Sequence, residues 1–155
     1  MKKLTFLIVI IFLIVACGTI NKSDNSDDLE ALKIFSLEME KVWNEGDYEG
    51  FMALIDDEAI FKGPANAPNK GIDDLRILYK EFFDNLTFKL KITSEEIFVF
   101  GDYAYSLETW IGSMNPRDGS TPEVFDNMDM TIYKRQTDNT WKVWRTMYNT
   151  NTAIK

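Results

Sequence analysis

The chain has 155 residues, 25 of them acidic and 17 basic, for a net charge of −8, with no histidine and one cysteine, Cys17. So acidic a chain repels nucleic acid, which is excluded as a partner. With no histidine and one thiol there is no His-assisted nucleophile and no intramolecular disulfide. No metal and no cofactor is expected, and acid–base chemistry would fall to Asp, Glu, Lys or Tyr.

Met1-Lys2-Lys3 is a basic start, and Leu4 to Ala16 is apolar except for Thr5. That run is shorter than the roughly 20 residues a membrane span needs, but it suits the apolar part of a secretory signal. Ile14-Val15-Ala16-Cys17 resembles a bacterial lipobox. The resemblance implies a lipoprotein signal peptide over residues 1–16. It also implies a palmitate-type lipid attachment at Cys17, whose thiol is the one group there able to form a thioether. The implied location is the cell envelope, anchored in the membrane and facing the periplasm or the surface. Gly18 after the cysteine favours the outer membrane by likeness to enterobacterial sorting. Residues 17–27 are polar and Asx-rich, with Ile20 as the one large apolar side chain, and read as a flexible tether. Removing Lys2 and Lys3 with the leader takes the net charge to −10.

Residues 28–152 suit one domain. Ser26 or Asp27 can cap a first helix, in which Leu29, Leu32, Phe35, Met39, Val42 and Trp43 recur at spacings of three and four. Gly46 closes it, and Asp47 caps a short helix with Tyr48, Phe51 and Ile55 on its apolar face. Glu58 to Lys62 reads as a strand, residues 63–70 as a Pro- and Asn-rich loop, and Ile72 to Asp84 as a third helix closed by Asn85. The period then changes to two. A strand over Phe88, Leu90 and Ile92 precedes a hairpin of Glu96–Phe100 with Tyr103–Met114. A second hairpin pairs Glu123–Arg135 with Thr140–Asn149. Three helices followed by antiparallel strands predict an α+β roll, with the three N-terminal helices packed on one face of a curved antiparallel sheet.

Trp43, Asn44, Gly46, Asp47, Asp56, Asp57 and Pro64, together with Trp141 to Thr150, carry a resemblance to the nuclear transport factor 2-like superfamily. Its members include ketosteroid isomerases, SnoaL-like polyketide cyclases and a group of domains of unknown function. The likeness spans residues 27 to 150. It implies a cone-shaped roll whose open end is a pocket, with Phe61, Tyr79, Phe83, Trp144 and Tyr148 as walls for a small apolar ligand.

Carried over position by position, the isomerase base falls on Gly63, beside Lys62, and the isomerase tyrosine falls on Met39. The protonated aspartate of the oxyanion hole falls on Asp129. A glycine supplies no base, so no catalytic residue is expected. Asn127, Asp129, Thr131 and Tyr133 share one face of their strand, and Met128, Met130 and Ile132 share the other. If the polar face looks inward, Asp129 joins the ligand-binding set with a raised pKa, and the apolar face is left for a homodimer through the sheet. If the methionines look inward, Asp129 is solvated. Arg145 is expected on the face opposite Trp144, ion-paired with a carboxylate such as Glu108. The expectation is thus a membrane-anchored binding protein for a small apolar molecule. Its alternatives are a SnoaL-like lyase or isomerase using Asp129, and a dimeric protein-interaction module.

Overall fold

The computed structural model describes residues 25–65 and 67–151. The segment expected to be a signal peptide, Cys17 and most of the expected tether lie outside the described residues. The elements are α1 (Ser26–Glu45), α2 (Tyr48–Ala53), β1 (Ile55–Lys62), β2 (Asn69–Lys70), α3 (Ile72–Asn85), β3 (Leu86–Phe100), β4 (Tyr103–Pro116), β5 (Glu123–Arg135) and β6 (Trp141–Thr150). One six-stranded sheet runs in the order β2-β1-β6-β5-β4-β3. The α+β class holds, with the three helices and a curved open sheet.

The joint between α1 and α2 forms as its residues require. Gly46 adopts a left-handed conformation, φ 71°, and donates its N–H to the Trp43 carbonyl, while Asp47 donates its own to Val42. The Asp47 carboxylate then accepts the Gly50 N–H at 2.8 Å as the cap of α2. At the other end of α1 the cap position is Asn25, with no side-chain capping bond, so Ser26 and Asp27 are first-turn residues rather than caps. The Asn25 amide instead donates to the Val99 carbonyl at 3.2 Å, and Asp28 takes a bidentate pair of bonds from Arg135 at 2.6 and 2.8 Å. These contacts pin the start of α1 to the far ends of β3 and β5.

Several boundaries differ from the sequence-based expectation. Ile55 is the first residue of β1 rather than part of the α2 face, and the 63–70 loop contributes the short strand β2. The two separate strands expected between Phe88 and Phe100 are one continuous β3, bent by a bulge between Ser94 and Glu96. The sheet is not wholly antiparallel, because β1 pairs with β6 in parallel. The chain between them, β2, α3 and the antiparallel run β3-β4-β5, is far longer than the crossover a parallel pair needs, and β6 closes the sheet between β5 and β1.

Trp43 organises the core. Its ring contacts Phe51, Tyr79, Phe83, Phe88 and Trp110 at centroid distances of 4.6 to 6.5 Å. One turn of α1 also closes the sheet edge. The Asn44 side chain accepts the Leu90 N–H at 2.8 Å and donates to the Leu90 carbonyl at 2.9 Å, and Glu40 accepts the Ile92 N–H at 2.9 Å. Edge strand β3 therefore finds side-chain partners where a further strand would otherwise add. Among the described residues no helix is long and apolar enough to cross a membrane.

Candidate functional site

A cavity of about 740 Å³ opens between α1, α3 and the inner face of the sheet, within the 300–1,000 Å³ typical of small-molecule sites. Phe61 reaches it from β1, Tyr79 from α3, Trp110 from β4, Asp129 from β5 and Tyr148 from β6. The strand alternation places Asn127, Asp129 and Thr131 on the cavity side, while Met128, Met130 and Ile132 line a shallow groove on the outer face. Met39 borders the cavity, as does Gly63. Among the described residues no lysine or arginine lines it.

Two of the expected wall residues lie elsewhere. Phe83 is buried and stacks on Trp43 at 5.0 Å, so it belongs to the core behind the wall. Trp144 stands on the outer face, 5.3 Å from the Tyr103 ring. The cause is a bulge. Tyr133 pairs with Val143 and Ile132 pairs with Arg145, which leaves Trp144 as the extra residue. Before it Trp141 and Val143 point inward, and after it Thr146, Tyr148 and Thr150 line the cavity. Simple alternation counted back from Tyr148 puts Trp144 inside; the bulge resets the parity.

Arg145 is also not where the pattern put it. Its guanidinium lies 3.7 Å from the Trp144 ring centroid and donates to the Glu58 and Trp144 carbonyls at 2.8 and 2.7 Å. Glu108 is not its partner. That carboxylate is buried on the inner face of β4. It accepts bonds from Ser36 at 2.7 Å, Ser94 at 3.3 Å, Tyr133 at 3.4 Å and the Trp110 indole at 3.1 Å. Four donors from four residues fix the carboxylate's position.

Glu108 is also the register partner of Asp129 across β4 and β5. Asp129 has no such set of donors. Its Oδ1 is shut off from solvent with no hydrogen-bond partner among the described residues. Burial, and after it the Glu108 charge, push the Asp129 carboxyl up to about 8. The same neighbourhood raises two phenols. Tyr148, the β6 register partner of Asp129, is pushed up by burial and then by Asp129. Tyr79 is pushed up by burial, then by Tyr148 and Asp129. The site is therefore a neutral carboxyl beside two neutral phenols in an aromatic cavity, with the buried Glu108 side chain as its cross-strand neighbour.

The Glu108 network was not anticipated from sequence. Its signal is weak, because Ser106 and Glu108 sit on the more polar face of β4, which alternation assigns to solvent. Pairing β4 with an inward Asp129 would have turned Glu108 inward too.

Residues 37–144 match the SnoaL-like domain. The chain belongs to this family. Among curated proteins none matches it in sequence. Solved structures share its fold at low identity. A ketosteroid isomerase-like protein from Erwinia carotovora atroseptica is 17% identical with a TM-score of 0.71, over 84% of this chain and 99% of that one. A conserved protein from Planctomyces limnophilus is 19% identical with a TM-score of 0.73, over 81% and 98%. A type 2 hexachlorocyclohexane dehydrochlorinase is 14% identical with a TM-score of 0.70, over 83% and 88%. At these identities the likeness is one of fold, and the chemistry rests on the site.

Proposed function

We propose that this SnoaL-like domain binds a small, flat, largely apolar molecule whose one polar group meets Asp129. The observation that supports this is the buried, unpartnered carboxyl oxygen of Asp129 inside an aromatic cavity of about 740 Å³. A buried polar atom without a partner costs free energy, which a ligand's polar group would recover. Aromatic walls at Phe61, Tyr79, Trp110 and Tyr148 suit a flat molecule. Thermal-shift screening of aromatic compounds tests the reading. Compounds that stabilise the wild type and fail to stabilise Asp129→Ala support it; a full screen with no stabiliser contradicts it.

A lyase or isomerase is the second reading, favoured by one observation. A carboxyl near 8 with a phenol as its cross-strand partner is poised for proton transfer at neutral pH. Against it, no side chain stands at Gly63, the position matching the isomerase base. Conversion of a bound ketone or polyketide-like compound, lost in Asp129→Ala, would select this reading.

The setting proposed for the domain rests on the sequence alone. Cys17 carries the lipid, the Asx-rich segment tethers the domain to the membrane of the cell envelope, and the outer membrane is favoured. The outer sheet face, with Met130 and Met147 more than half exposed, is the surface proposed for a homodimer.

A further inference from the structure

The cavity reading leaves open which polar group the ligand carries. Resting on that reading, we infer that the ligand carries a single positive charge, an ammonium or similar cation attached to a flat apolar body. Three independent observations point this way.

The first is the charge of the lining. Among the described residues it contains Asp129 and, at the mouth, Glu123, and no lysine or arginine. A carboxylate, phosphate or sulfate group entering the cavity would meet no compensating charge. Behind the lining it would meet the Glu108 carboxylate, the cross-strand neighbour of Asp129, which Ser36, Ser94, Tyr133 and Trp110 hold in place. Anionic ligands are therefore disfavoured.

The second is the wall. Phe61, Tyr79, Trp110 and Tyr148 come from four different elements to one space. Aromatic faces gathered around a cavity attract a desolvated cation through their ring quadrupoles, and the same rings accept its apolar body.

The third is the state of Asp129. Its Oδ1 has no partner among the described residues. The titratable groups around the carboxyl are Glu108 on β4, Tyr148 on β6 and Tyr79 on α3, and none of them carries positive charge. From α1 the cavity receives Met39 and Trp43, neither of which titrates. A neutral ligand carbonyl would take one hydrogen bond from the protonated acid. A cation would take a charge-assisted contact to the ionised acid and, beyond it, the attraction of Glu108. On binding, the Asp129 proton is released to solvent.

This release makes the two ligand types distinguishable by the sign of their pH dependence. With a carboxyl near 8, about one molecule in ten is ionised at pH 7 and about nine in ten at pH 9. A permanent cation therefore binds more tightly as the pH rises, by about tenfold between 7 and 9. A neutral acceptor binds more tightly as the pH falls.

The experiment is calorimetric titration of the purified full chain at pH 6, 7, 8 and 9. One probe is benzyltrimethylammonium, whose charge does not titrate; the other is 4-phenylbutan-2-one, a neutral ketone. The expected result is tighter binding of the ammonium, with an affinity that rises about tenfold from pH 7 to 9. Asp129→Asn should lose that slope and at least tenfold in ammonium affinity at pH 9. Tighter binding of the ketone, equal binding of the two, or an ammonium affinity that is flat or falls with pH overturns the cation and leaves the cavity reading standing. Binding of neither probe overturns the cavity reading and the cation with it. The wild-type slope decides the matter even if the variant does not fold.

Discussion

The Tyr148 hydroxyl occupies the space that a side chain on Gly63 would fill. A Cβ built on Gly63 lies 2.6 Å from Tyr148 Oη and 2.8 Å from its Cζ. The place that holds a base in the isomerase pattern is thus taken here by the tip of a ring from β6. Gly63→Ala is expected to drive the ring into the cavity rather than to unfold the chain. The stability loss should be about 1–3 kcal/mol, as for other overpacking changes. Bound aromatic compounds should weaken in the same variant. Urea unfolding with parallel ligand titration checks both; unchanged binding would place the Tyr148 ring outside the ligand's space.

Asn44 is expected to matter for the sheet rather than for the ligand. Its side chain makes two bonds to the Leu90 backbone on edge strand β3. Asn44→Ala leaves a donor and an acceptor unmet, at a cost of about 1–3 kcal/mol. Hydrogen exchange read at the Leu90 amide should accelerate, while the Ile92 amide, held by Glu40, stays protected. Equal acceleration along the whole strand would show that α1 acts by packing alone.

How much of this was legible in the chain depends on the kind of signal each residue carries. Gly46 and Asp47 are local: a left-handed conformation and a capping carboxylate act within a few residues, and both form where the residues dictate. The bounds of β5 and the grouping of Asp129 with Asn127 and Thr131 on one face follow from period-two alternation, but which face turns inward is settled only by the packing of the sheet. Trp144, placed in the wall by the family resemblance, falls outside because a bulge one residue long shifts the parity along β6, and no residue type on that strand announces it. Phe83 fails because an aromatic at helical spacing serves a core as well as a cavity wall, and the ring of Trp43 claims it. The parallel pairing of β1 with β6 joins segments far apart in sequence, so nothing local encodes it. Glu108 is hidden for the opposite reason. A glutamate in a strand reads as solvated until four donors from four other residues are seen around it.

Asp129 also sets a pH dependence of stability. Its carboxyl is pushed from the ordinary 3.8 up to about 8 in the folded chain. Between these values the folded state holds a proton that the unfolded state has released, so this group's contribution falls as the pH rises from about 4 to 8. Asp28 and Asp56, held below the usual carboxylate range, act in the opposite sense and lose their contribution as the pH falls through their folded values. For Asp28 the Arg135 bonds set that direction. For Asp56 burial opposes it, and the Glu58 N–H, Gln136 and Lys134 together outweigh the burial. The difference between wild type and Asp129→Asn isolates the one group. The variant should gain stability relative to wild type as the pH rises from 5 to 9, measured by urea midpoints. A constant difference would show that Asp129 titrates normally.

The anchor proposed at Cys17 has its own test. In a bacterial host, Cys17→Ser should abolish lipidation and move the protein from the detergent phase to the aqueous phase on phase separation. Wild-type protein that partitions into the aqueous phase after processing would remove the anchor while leaving the cavity reading untouched.

The most direct test is the carboxyl carbon of Asp129 itself, followed by NMR across pH 3 to 10 with Asp129→Asn to assign the signal. The account predicts a midpoint near 8 in the free protein, displaced when a ligand that stabilises the fold is bound. A midpoint near 4 that does not move on ligand binding would contradict it, because the carboxyl would then be solvated and uninvolved in the cavity.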